Sequence, residues 1–447
     1  MLTLPIFTRL MSTNEYGVFS VYQSWYQILS IITTLNLAGA VLNNGFIKYE
    51  DRRNEFISSM QGLSTTITVS VFIIYLITHS FWEELLDLPS VFILIMFTQL
   101  LVEPAYLFWM QRKRFEFQYQ KVVIITMLIT CSSPAVGIIA VLASSNKAFA
   151  RVLSYALVQI CIGLIFYIFQ FIKGRKFYIK EYWHFAMVFN IPLVPHYLSQ
   201  VVLGQADRIM INKMVGEDKA GIYSVAYTIA SALTLLINAI NAAYIPTLYQ
   251  NMKEKKYEII YKSSTILCVI MGLAALSLML FGPEIIWFVG SKEYREAIWL
   301  IPPVAGSVYF TYLYSLFINI ELYYEKTQYT MVVSVIGAML NIALNAILIQ
   351  VFGYIAAGYT TLFCYILFAI GHGFLARYRL KKDMVLYVFN YQRLIALSTL
   401  IVITTILINL LYFNDWIRYV IILSSVIGVV GYRKKIYAEI KKALHGR

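Results

Sequence analysis

Apolar runs of about 20 residues recur thirteen times along this chain, separated by short polar loops. A helix needs roughly 20 apolar residues to cross a bilayer, so each run is long enough to span one. The runs fall near 18–43, 56–80, 89–110, 121–143, 151–172, 185–211, 221–246, 259–282, 296–320, 328–351, 354–376, 394–413 and 416–432. They are continuous rather than alternating, which excludes a transmembrane β-barrel. The expected fold is therefore an all-α polytopic membrane protein. Only 13% of the 447 residues are charged, where soluble domains carry about 25%.

The net charge of +13 raises the question of nucleic acid, but its distribution answers it. Alternate loops and the C-terminal tail hold 27 of the 36 Lys and Arg residues, among them Lys48–Arg53, Arg112–Lys121, Lys173–Lys180, Lys253–Lys262 and Arg377–Arg393. Lys and Arg collect on the cytoplasmic side of a membrane. The charge is read as topology, with a cytoplasmic C-terminus and no nucleic-acid partner. The four cysteines lie in different runs, and no Cys or His stands at metal-ligand spacing. There is no GxxxxGK[ST] motif. No catalytic residues, metal or cofactor are expected, and the protein is not expected to be an enzyme.

Residues 1–10 (MLTLPIFTRL) are too short to span. They are expected to be the outer end of a helix whose first half is absent. The segment YGVFSVY (Tyr16–Tyr22) returns as AGIYSVA (Ala220–Ala226), each after a short polar turn and a helix end bearing a cation, Arg9 or Lys213. The offset is 204 residues and six helices, an even number, so the halves run the same way through the membrane. Transporters commonly place substrate in the cleft between repeats of this kind. The expected organisation is a first six-helix bundle (1–172, first helix incomplete) and an amphipathic cytoplasmic connector (173–184). A second bundle (185–376), two peripheral helices (394–432) and a basic tail (433–447) follow.

Several stretches then resemble a known family. They are PIFTRLMSTNEYGVFS (Pro5–Ser20), QADRIMINKMVGEDKAGIYSVAY (Gln205–Tyr227), NIALNAILI (Asn341–Ile349) and FGYIAAG (Phe352–Gly358). The chain resembles the Wzx-type oligosaccharide flippases of the MOP exporter superfamily, which also holds the lipid II flippase and the MATE drug exporters. The resemblance implies two six-helix bundles around a central cavity. It implies, as substrate, undecaprenyl-diphosphate-linked repeat units for O-antigen or capsule, moved from the inner to the outer leaflet of the bacterial plasma membrane. A polysaccharide polymerase and glycosyltransferases are the protein partners it suggests, besides membrane lipids. The rival classes are a MATE-like small-cation antiporter and a membrane-embedded polymerase. Arginines in the cavity would repel a cation, and the short outer loops disfavour a polymerase.

The residues themselves offer what such a substrate needs. Arg9, Arg208 and Lys213 lie in the first helix of each repeat, as a diphosphate clamp or as cations snorkelling to the interface. Asp207 adjoins Arg208, but helix neighbours point about 100° apart. Asn36 and Gln205 belong to a set of amides in or at the ends of spans, either a sugar-contacting wall or interhelical glue. For Asn341 and Asn345, four residues apart, glue is preferred. Arg9, Arg208, Lys213, Asp207, Gln205 and Asn36 form the candidate substrate set. Glu103 is read as the only acidic residue deep in a span, either the ion-coupling candidate or a structural partner for an Arg across the bundle. His79, His184 and His372 have no partner at ligand spacing.

Overall fold

The computed structural model describes residues 3–324, 327–382, 387–425, 427 and 431. Lys326, part of the last apolar run and the basic tail lie outside the described residues. The described residues hold seventeen α-helices up to residue 411, a further helical stretch at 415–425, and no strand. They are α1 (Leu4–Leu10), α2 (Thr13–Thr34), α3 (Ala40–Lys48), α4 (Arg53–Ile77), α5 (His79–Leu86), α6 (Ser90–Phe115), α7 (Tyr119–Ala143), α8 (Lys147–Gly174) and α9 (Lys180–Asn190). Then come α10 (Val194–Met214), α11 (Glu217–Lys253), α12 (Tyr257–Leu280), α13 (Gly282–Val289), α14 (Ile301–Tyr323), α15 (Thr327–Phe352), α16 (Ala356–Lys382) and α17 (Tyr391–Leu411). Eleven helical stretches among the described residues are long and apolar enough to cross a membrane. The chain is an all-α, multi-pass membrane protein.

The first apolar run is not one helix, as its hydropathy predicts, but two. Leu35 and Asn36 adopt left-handed backbone (φ 50° and 53°), which ends α2 before α3 begins. Asn tolerates this conformation better than most residues. Inside a bilayer the freed backbone groups need partners. Here Leu37 N–H donates to the Thr34 carbonyl at 3.0 Å and Gly39 N–H to that of Asn36 at 3.1 Å. The Leu35 carbonyl accepts from the Asn190 side chain.

The polar turn before the first repeated segment is a capping box. Ser12 Oγ accepts from Glu15 N–H at 3.2 Å, and Glu15 Oε2 accepts from Ser12 N–H at 2.8 Å. The turn before the second uses Gly216 at φ +136°, where a Cβ would be strained. Lys147 Nζ donates to the Leu10 carbonyl at 2.7 Å and closes the end of α1.

The chain forms two compact units. The first comprises Ile6–Gly221. In it α2 packs along α10, α6 and α7 lie against α8, and α4 runs beside both α6 and α8. A dense core of Leu37, Phe46, Phe56, Met60, Phe108 and Tyr182 gathers α3, α4, α6 and α9, all at 1% exposure or less. It also explains the start of α9. Tyr182 and Ala186 are buried, and Trp183 Nε1 donates to the Ser59 carbonyl at 2.9 Å. Residues 180–190 thus pack one face against the first unit and leave Glu181, His184 and Val188 exposed.

The second unit runs from Ile222 onward and includes the first few residues of the chain. Its centre is α14, packed between α12 and α16, with α15 against α16 and α17 against α12 and α14. Asn341 Nδ2 donates to Thr361 Oγ1 at 3.4 Å, Asn345 Nδ2 to Asn341 Oδ1 at 3.3 Å, and Thr360 to Asn345. Both asparagines are fully buried. Without a hydrophobic force between helices in lipid, such contacts and close packing hold α15 to α16.

Candidate functional site

The polar residues of the first unit converge on α2, and they do so from two sides. One side meets α10. Gln205 is the centre: its Oε1 accepts from Ser24 Oγ at 3.1 Å and from the Arg208 guanidinium, and its Nε2 donates to Gln27 Oε1 at 2.9 Å. Arg208 Nη1 also donates to the Gly204 carbonyl at 3.2 Å. Arg208 is only 9% exposed and Asp207, next to it, 1%. Gln205 and Arg208 are three apart and share a helix face, which is what lets one amide serve both the arginine and α2.

The other side meets α6. Tyr26 donates its hydroxyl to Glu103 Oε2, and Gln99 Nε2 donates to the same oxygen at 2.8 Å. Tyr22 in turn donates to Gln99 Oε1 at 2.9 Å. At 100° per residue, Ser24 and Gln27 lie about 150° around α2 from Tyr22 and Tyr26. The Arg208 and Glu103 networks therefore occupy opposite faces of one helix. A shift or rotation of α2 would act on both.

The remaining candidates are placed differently. Arg9 is exposed in the last turn of α1, and Lys213 is exposed in the last turn of α10, where a cation complements the helix dipole. Asn36 sits at the break between α2 and α3 and is half-buried. Thus Gln205 and Arg208 are bonded in one network, Glu103 belongs to a second, and Asn36 marks the discontinuity in α2.

Two buried groups escaped the sequence reading. Arg151 in α8 is 8% exposed, with its guanidinium 4.0 Å from the Phe7 ring and 4.4 Å from that of Phe19. Its Nε and Nη1 make no hydrogen bond, and Gly137 leaves the notch it fills, since a Cβ there would meet Nη1 at 2.6 Å. A cation five residues after the Asn146 cap, flanked by apolar residues, was the available signal. Glu103 is also not the only acidic residue with a buried partner. In the second unit Glu321 is 2% exposed, and its Oε1 lies 2.8 Å from Nδ1 of the fully buried His372. His372 thus has a carboxylate partner, from a helix 51 residues away in sequence, which spacing along the chain cannot show.

With this geometry in hand, the comparisons are informative. The polysaccharide biosynthesis protein family model matches residues 1–252, and the MatE family model matches residues 192–347. "Lsg locus putative protein 1" of Haemophilus influenzae is 25% identical over 358 residues, covering 76% of this chain and 85% of that protein. An "uncharacterized membrane protein" of the same organism is 21% identical over 347 residues, 76% of this chain and 83% of its own length. Among solved structures, the lipid II flippase MurJ in an inward closed conformation aligns with a TM-score of 0.64 at 15% identity, covering 98% of this chain and all of that one. An inward-facing multidrug resistance MATE transporter of the MOP superfamily aligns at 0.63 and 13% identity, covering 86% and 95%. At those identities the two structures speak for the fold alone. The family match, over more than half of the chain, makes the protein a member of the polysaccharide biosynthesis protein family.

Proposed function

We propose that this protein is a flippase for undecaprenyl-diphosphate-linked oligosaccharide repeat units, moving them from the inner to the outer leaflet of the bacterial plasma membrane for O-antigen or capsule assembly. One observation carries the reading: a buried arginine, Arg208, is held in a seam of amide and hydroxyl groups from α2 and α10. A diphosphate calls for charge-assisted donors, which guanidinium supplies in a forked geometry. Sugars call for amides and hydroxyls, and the polyprenyl chain can remain in lipid. The Lys- and Arg-rich loops face the cytoplasm on this reading, and so does the C-terminus. Arg9, Lys213, Asp207 and Asn36 extend the substrate set, and Glu103 couples transport to an ion. Translocation breaks no covalent bond, so the protein needs no catalytic residues of its own. A polymerase and glycosyltransferases would supply and consume its cargo.

The MatE match favours a second reading, a small-molecule antiporter. A cationic substrate would be repelled by Arg208. The test is reconstitution in vesicles with a fluorescent lipid-linked oligosaccharide loaded into one leaflet. Acceleration over protein-free vesicles is expected. No acceleration, together with export of a small organic cation, would replace the first reading by the second.

A further inference from the structure

Away from the α2 seam, the first unit carries a small cavity between α4, α6 and α8, of about 80 Å³. That is room for on the order of five waters, hence for one tetrahedral oxyanion. Asn54, Trp109, Arg112, Lys113, Gln170 and Lys173 line it, on the side of the membrane where the Lys- and Arg-rich loops emerge. Three cations therefore line one cavity. One carboxylate offsets them in part: Glu116 accepts from Arg112 Nε and from Lys113 Nζ, each at 2.6 Å. Burial alone would raise the Glu116 carboxyl, yet its hydrogen bonds to Lys113 and Arg112 hold it below the usual carboxylate range. Arg112 Nη1 is fixed on Asn54 Oδ1 at 2.5 Å. Lys173 lies 4.2 Å from the Phe169 ring and, among the described residues, has no carboxylate within ion-pair distance. The wall is apolar where Trp109 and Phe169 line it. Trp109 lies within the last two turns of α6, and tryptophan is enriched at headgroup level.

We propose that this cavity binds the phosphate ester of an anionic phospholipid headgroup, with Arg112, Lys113 and Lys173 on the phosphate and the acyl chains on the apolar wall. It lies in a different place from the Arg208 seam and does not depend on the transported substrate. The shared chemistry would also suit free inorganic phosphate. The lipid is the source favoured, because the cavity sits at the interface, and on the proposed orientation that leaflet is rich in anionic lipid.

The full-length protein is titrated with short-chain phosphatidylglycerol, phosphatidylcholine and inorganic phosphate, with binding read by native mass spectrometry. Phosphatidylglycerol is expected to bind several-fold tighter than phosphatidylcholine. Each cation near an anionic surface is worth about 1 kcal/mol, so Lys173→Gln should weaken phosphatidylglycerol about fivefold, with Lys173→Arg retaining it. Lys121→Gln removes an exposed charge of the same sign on the same side and should leave it unchanged. Lys173 is exposed near the end of α8, so its variants keep the fold, and a melting curve verifies this. Equal binding of the two lipids, equal weakening by Lys121→Gln, or an unaffected Lys173→Gln would overturn the proposal. So would binding of inorganic phosphate without a preference for phosphatidylglycerol.

Discussion

Gly17 and Gly221 lie against one another where α2 and α11 begin, and neither position has room for a side chain. A Cβ on Gly17 would stand 1.8 Å from the Glu217 carbonyl oxygen, and one on Gly221 would stand 2.0 Å from that of Thr13. The contacts are reciprocal: each glycine meets the residue four before its counterpart. These are the same two glycines that align in the repeated segments YGVFS and AGIYS. The repeat seen in sequence is thus also a contact.

Gly17→Ala and Gly221→Ala should each destabilise the protein by about 1–3 kcal/mol through overpacking. The double variant should cost less than the sum, because parting the helices once relieves both clashes. Thermal melting of the purified protein and its three variants checks this. Full additivity would mean the two positions do not share a contact.

Glu103 accepts two hydrogen bonds at one oxygen. Glu103→Gln keeps an acceptor there and should change stability by less than about 1 kcal/mol, whereas Glu103→Ala strands the Tyr26 and Gln99 donors and should cost about 1–3 kcal/mol. If the carboxylate couples transport, Glu103→Gln should abolish the acceleration that an imposed ion gradient gives. A well-folded Glu103→Gln that still responds to the gradient removes Glu103 from coupling.

Arg151 presents the opposite case. Its contacts with the Phe7 and Phe19 rings are worth about 2 kcal/mol when desolvated, while burying a cation with no ion-pair partner costs several kcal/mol. Arg151→Met keeps the volume and should be neutral or stabilising. Arg151→Ala opens a cavity beside Phe7 and Phe19 and should cost about 2–5 kcal/mol. Comparable melting of the two variants would show that charge, rather than filled volume, is what Arg151 contributes.

Glu116 gives a pH signature. Its carboxyl is held below the ordinary carboxylate value, so its contribution is complete above about pH 4.3 and is lost as pH falls through the lower, folded-state value. The pair is partly exposed, so the gain is at most about 1 kcal/mol. Glu116→Gln should melt below the wild type at neutral pH, and the two should converge as the pH drops under 4. A gap that persists in acid would contradict the ion-pair account.

How much of this was legible beforehand follows from distance along the chain. Continuous apolar runs announced the spans, because each helix must bury its own backbone in lipid. The break at Leu35–Asn36 was hidden, since Leu, Ala and Val flank it and hydropathy does not register backbone conformation. Gln205 and Arg208 were visible as polar residues in an apolar helix, but their partners Ser24 and Gln27 come from 178–181 residues away. Arg151 looked like a helix-end charge until Phe7 and Phe19 closed around it. Glu321, two residues from the end of α14, has no sequence signal of its own, because its partner His372 is 51 residues away.

On the proposed function, the Arg208 seam holds the diphosphate of a lipid-linked oligosaccharide. The most direct measurement is the flipping rate of a fluorescent lipid-linked oligosaccharide in vesicles containing wild type, Arg208→Lys or Arg208→Ala at matched protein levels. Loss of a charged, forked partner should slow Arg208→Ala at least about tenfold, with Arg208→Lys between the two. An Arg208→Ala protein that flips the lipid at the wild-type rate would contradict the account.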